Sequence, residues 1–115
     1  MSALLLEQKY KEFTVYSYSA LKQFPKSEKH GLAAELREAI WRGYRLIIAA
    51  MKRYHKKTTL TDLDIEVTLL KRMIRLALEL RYIDSKKFEI IAAYLSEIGK
   101  MIGGWIKTAD KAAAL

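Results

Sequence analysis

Two histidines, no cysteine and a dense set of Lys and Arg are the side chains from which chemistry could be built in this chain. Carboxylate-bridged metal sites in helical bundles use Glu-x-x-His pairs on facing helices. Three residues before His30 stands Ser27, and three before His55 stands Lys52, so that pattern is missing. Two histidines so far apart make a poor zinc site, and without cysteine there is neither a thiolate ligand nor a thiol nucleophile. Glu35 and Glu38 lie one helical turn apart, but carboxylates on an exposed helix face are usually solvated or paired with Lys or Arg. No Ser/His/Asp grouping and no glycine-rich phosphate loop is legible. The expectation is a protein with no catalytic residue, no metal and no cofactor.

The cations offer more. The stretch "MKRYHKK" sets Lys52 four residues from Lys56 and Arg53 four from Lys57, with Tyr54 and His55 between them. No acid occurs between Glu38 and Asp62, and that window also holds Arg42 and Arg45. Such a block either satisfies the dipole at a helix C-terminus or contacts phosphates; four cations exceed what a dipole needs, which favours phosphate. Tyr54 falls on the apolar stripe of its helix and is expected in the core. In "LLKRMIRLALELR", Lys71 and Arg75 share a helix face and Arg72 lies beside them. Cations within so apolar a segment either snorkel or line a groove for a charged partner.

A third feature is "AAYLSEIGKMIGGWIK", in which Ala92, Ser96, Gly99 and Gly103 form a stripe of small residues. A mid-helix glycine costs about 1 kcal/mol relative to alanine, so this stripe needs a reason. A smooth ridge lets another helix approach closely, from the same bundle or from a neighbouring subunit. Trp41 and Trp105 are expected as core or interface anchors.

Four helical segments must position these residues. Leu6, Tyr10, Phe13, Ser17, Ala20 and Phe24 keep three-four spacing and predict a helix over 4–24, stopped by Pro25. Leu32, Leu36, Ile40, Gly43, Ile47, Ala50 and Tyr54 predict a second over 32–56. Thr59 or Thr61 can cap a third over 63–82, whose stripe Leu63, Val67, Leu70, Ile74 and Ala77 is widened by Leu69, Met73, Leu76 and Leu80. A face so broad is expected to be covered on more than one side. Ser85 can cap a fourth over 85–108, with a fraying tail over 109–115. No strand pattern appears, and the connections are a few residues each. The expected fold is all-α: an up-down-up-down antiparallel four-helix bundle, one domain over 1–115.

Composition narrows the partners. The formal charge is +8, and residues 1–57 hold 12 Lys/Arg against 5 Asp/Glu, whereas residues 58–115 hold 9 against 8. Asymmetry of this kind points to a polyanionic partner. The longest apolar run, Leu46 to Met51, is far short of the roughly 20 residues of a membrane span. The N-terminal "MSALLLEQK" lacks the basic start of a signal peptide. A basic helix lying on a membrane would have to expose a stripe that the bundle needs buried. No membrane partner is therefore expected, and the absence of cysteine suits a reducing cytoplasm.

Three blocks, "FPKSEKHGLAAELREA", "DLDIEVTLLKRMIRLALEL" and "FEIIAAYLSEIGKMIGGWIK", together resemble the accessory variability determinants of diversity-generating retroelements. More broadly they resemble the four-helix-bundle proteins encoded in intervening sequences of large-subunit ribosomal RNA. The resemblance covers roughly residues 5–108. It implies a four-helix bundle assembled as a homopentameric barrel with a basic surface. It further implies binding to the retroelement's reverse transcriptase and to RNA and DNA, in support of adenine-directed mutagenic retrohoming. The protein would contribute no catalysis. The resemblance places partner binding on Lys71 and Arg75, and the charge pattern adds Arg42, Arg45, Lys52, Arg53, Lys56, Lys57 and Arg72 as candidate contacts to nucleic acid or the polymerase. The small-residue stripe and its neighbouring indole make Ala92, Ser96, Gly99, Gly103 and Trp105 the candidate subunit contacts, although the glycines sit in a block typical of both branches. The other branch implies a structural homo-oligomer with no retroelement role. His30-Gly31-Leu32 and the basic third helix lean towards the retroelement branch.

Overall fold

A computed structural model of the chain describes the backbone of residues 3–114 and the side chains of residues 3–111. It holds four helices and, among the described residues, no strand: α1 (Ala3–Leu21), α2 (Leu32–Lys52), α3 (Lys57–Glu79) and α4 (Ser85–Ala114), with a short 3-10 turn over Lys26–Glu28 between the first two. Each helix packs on its neighbours in the chain, and α1 also packs on α4, so the four close into a ring. The core lies along its axis. Leu6, Tyr10 and Phe13 of α1 meet Leu36, Ile40 and Ile47 of α2, Leu63, Leu70 and Ile74 of α3, and Ile91, Leu95 and Ile98 of α4. Among the described residues no helix is long and apolar enough to cross a membrane.

The corner between α1 and α2 shows how local chemistry sets boundaries. α1 ends at Leu21, three residues short of the expected Phe24. The amides of Lys22, Gln23 and Phe24 each donate to a carbonyl three residues back, tightening the last turn before Pro25. Phe24 still reaches the core from this turn. The Glu28 carboxylate accepts the Leu32 amide at 2.9 Å and so caps α2. Gly31 makes room for it, because a Cβ there would lie 2.7 Å from Glu28 Oε1.

The corner between α2 and α3 departs most from expectation. α2 stops at Lys52 instead of Lys56, because Arg53 turns extended (φ −82°, ψ 146°). Tyr54 is therefore thrown outward, 90% exposed, and is not core. α3 begins at Lys57, six residues before Leu63. Thr59 and Leu60 are buried, extending the Leu63–Val67 stripe backward by one turn, so these threonines are helix interior and not caps. Thr61 Oγ1 instead donates back to the Lys57 carbonyl.

Two further differences follow. α4 is capped by Asp84, not Ser85: its Oδ1 accepts the Lys87 amide at 2.8 Å. That bond is the main reason the Asp84 carboxyl sits below its usual range. α4 also runs through Ala114, where a frayed tail is expected. Along α3 and its C-cap, the outer stripe Ile65, Leu69, Leu76 and Leu80 is exposed, so none of the described residues covers the second half of its broad apolar face.

Candidate nucleic-acid interface

The nine cations singled out above separate into two groups. Four are engaged within the chain. Arg42 Nε sits 2.7 Å from Glu66 Oε1, joining α2 to α3 across a carboxylate that is mostly buried. Lys56 Nζ donates to the carbonyls of Ala50 (2.6 Å) and Arg53 (2.7 Å), two groups left over where α2 ends. Arg53 Nη1 donates to Thr59 Oγ1 at 2.8 Å, clamping the α2–α3 corner. Lys57 pairs with Asp110 of α4 at 3.7 Å. The "MKRYHKK" stretch is thus largely a cap and a clamp.

The other five, Arg45, Lys52, Lys71, Arg72 and Arg75, are exposed, and among the described residues none pairs with a carboxylate. Lys71, Arg72 and Arg75 border a groove between α3 and α4, of about 340 Å³, whose other wall is Phe88, Ala92, Leu95 and Ser96. The small-residue stripe of α4 thus lies beside the cations of α3. Lys71 Nζ would stand 3.4 Å from a Cβ on Gly99, an ordinary contact distance, so the tip of this lysine reaches the stripe. The Arg75 guanidinium lies over the Phe88 ring, 5.6 Å from its centre, a contact that holds the charge at the groove's end without neutralising it. Phe88 is a site residue that the stripe pattern assigns only to the core.

Gly103, one turn beyond Gly99, is different. Among the described residues, a Cβ there would meet nothing within 4 Å, so no contact with them explains this glycine. Trp105 is half-buried against the core. Trp41, by contrast, is 51% exposed on the outer side of α2. Among the described residues, no cluster of His, Cys, Asp or Glu is placed to hold a metal ion.

Residues 4–109 match the bAvd-like protein family. The chain belongs to the bAvd-like family. Nearly all of α1–α4 lies inside the match, so the shared feature is the bundle itself. The bAvd-like family is an accessory, non-catalytic one, and membership places this chain among proteins like the accessory variability determinants. No curated protein matches the chain.

Proposed function

We propose that this bAvd-like chain is a non-catalytic accessory protein of a diversity-generating retroelement. In this reading it binds the element's reverse transcriptase together with template RNA and cDNA, and supports adenine-directed mutagenic retrohoming in the cytoplasm. The observation that carries the reading is the family match over residues 4–109. The groove of Lys71, Arg72 and Arg75 supports it, because unpaired cations beside a smooth ridge suit a phosphate backbone. Arg45 and Lys52 add a second basic strip on α2. The chain would act as one domain of up-down-up-down topology, assembled as a homopentamer. The uncovered α3 stripe and Gly103 support the assembly, since both lack a covering partner among the described residues.

Titration of a fluorescent single-stranded oligonucleotide at rising salt tests the reading. Binding should be tight at low salt and fall steeply as salt is raised; no binding even at low salt would refute nucleic-acid contact. Co-purification with a cognate reverse transcriptase tests the other half. The charge-reversed Lys71→Glu/Arg75→Glu chain should lose that partner while still assembling. A second reading, a structural homo-oligomer of the intervening-sequence type, is favoured by the four cations already engaged within the chain. It expects normal co-purification of the charge-reversed chain.

A further inference from the structure

We infer that Trp41 is a stacking platform for one base of a single-stranded nucleic acid, with Arg45 and Lys52 holding neighbouring phosphates. The inference rests on the nucleic-acid reading above and adds a site on α2, away from the α3–α4 groove. Tryptophan is highly buried on average, yet half of this side chain faces solvent. It is also fixed in place. Its Nε1–H donates to the Tyr18 hydroxyl of α1 at 2.9 Å. Its ring lies stacked on Tyr44, centroids 5.8 Å apart and planes 26° apart. Tyr44 is itself braced edge-on against the buried Tyr10 ring and donates its hydroxyl to Glu7. An exposed indole held at its edge and on one side loses little freedom when a ligand stacks on it, which favours binding.

The surroundings select the ligand. Trp41, Arg45, Ile48 and Lys52 step by four, three and four along α2, and all four are exposed. At 1.5 Å rise per residue, Arg45 lies about 6 Å and Lys52 about 16 Å along the helix from the ring. Arg45 and Lys52 are the two cations of the acid-free window between Glu38 and Asp62 that, among the described residues, are not engaged within the chain. An aromatic face followed by unpaired cations is the arrangement by which proteins hold single strands with little sequence preference. A duplex hides its base faces in its own stack, so Trp41 should contribute to single strands and not to duplexes.

Trp105→Phe leaves Trp41 as the one indole of the full-length chain. Titrating that chain with oligothymidylate should quench the remaining emission. Trp41→Ala should weaken oligothymidylate binding about 5- to 150-fold and leave duplex binding within about twofold. Trp41→Phe, which keeps a ring, should retain most of the affinity. Unchanged affinity in a folded Trp41→Ala chain, or binding without quenching in the Trp105→Phe chain, would overturn the inference, and the quenching result holds even if Trp41→Ala fails to fold. A Trp41→Ala chain that binds oligothymidylate normally but loses the reverse transcriptase would make the ring a protein anchor instead, and would also overturn it. Failure of the parent chain to bind any oligonucleotide at low salt would remove the nucleic-acid reading itself. Binding that resides only in Lys71 and Arg75 would remove this inference alone.

Discussion

If the sorting of cations into engaged and free groups is correct, it must appear in the salt dependence of binding. Each phosphate contact on a single strand contributes about 0.7 to the slope of log affinity against log salt. With Arg45, Lys52, Lys71, Arg72 and Arg75 all in contact, the slope is about −3.5, a loss of roughly 130-fold between 50 and 200 mM salt. Lys71→Gln/Arg75→Gln should bring the slope to about −2.1 and the loss to roughly 18-fold. Arg53→Gln/Lys56→Gln removes the same formal charge but should leave the slope unchanged. Those two side chains instead satisfy Thr59 and the carbonyls of Ala50 and Arg53. Their loss should cost about 1–3 kcal/mol of stability, a drop of several degrees in Tm. Anisotropy of labelled oligothymidylate at stepped salt, with thermal unfolding of each variant, reads both effects. A slope that falls in the Arg53/Lys56 chain and holds in the Lys71/Arg75 chain would refute the assignment.

Three other substitutions test the packing. Gly43→Ala would drive a Cβ into the phenol of Tyr10, 2.9 Å from its Cζ, and Tyr10 is fully buried with its O–H donating to the Ile40 carbonyl at 2.7 Å. Overpacking and a displaced hydrogen bond should cost about 2–4 kcal/mol in thermal or urea unfolding, and a chain as stable as its parent would contradict the contact. Gly103→Ala has open space within the chain and should raise helix stability by about 1 kcal/mol. In sedimentation the same variant should disrupt assembly, and intact oligomers would place Gly103 outside the subunit contact. Arg81 closes α3 with φ 64°, while the Tyr82 and Arg81 amides donate to the carbonyls of Ala77 and Leu78. Arg81→Gly should therefore stabilise the chain by about 0.5–1 kcal/mol in a thermal melt, and a lower Tm would show that the arginine makes up for its backbone strain.

Spacing made the bundle legible because burial repeats with the helix period. Leu6, Tyr10, Phe13, Ser17 and Ala20 all point inward as their three-four steps require. The helix ends were harder to read, since they depend on side-chain-to-backbone bonds that periodicity does not encode. Tyr54 sits in register with Ile47 and Ala50, yet the helix has already ended at the extended Arg53, and Lys56 reaches back to the freed carbonyls. Thr59 looks like a cap by type but is buried, receiving a bond from Arg53. The meeting of Lys71 with Gly99 of α4 was legible only as two separate stripes. Their juxtaposition is a property of how α3 and α4 pack. Trp41 shows the opposite failure: its type suggests an anchor in the core or an interface, but only its hydrogen bond to Tyr18 and its stack on Tyr44 show that it is held at the surface.

The same physics that draws a polyanion to a basic helix end draws those cations to the helix's own carbonyls, and one side chain cannot serve both without cost. For Lys56 to hold a phosphate it must release Ala50 and Arg53, leaving two carbonyls to water and loosening the last turn of α2. Arg42 must keep its Nε–H on Glu66, whose mostly buried carboxylate would otherwise stand unpaired, and so has only its remaining donors to offer. Arg45, Lys52, Lys71 and Arg72 surrender only water, and Arg75 can stay over Phe88 while its remaining donors turn outward. Charge counted along the sequence therefore overstates what a ligand can use. The usable part divides between the α3–α4 groove and the outer strip of α2, two surfaces on helices that lie beside one another in the ring.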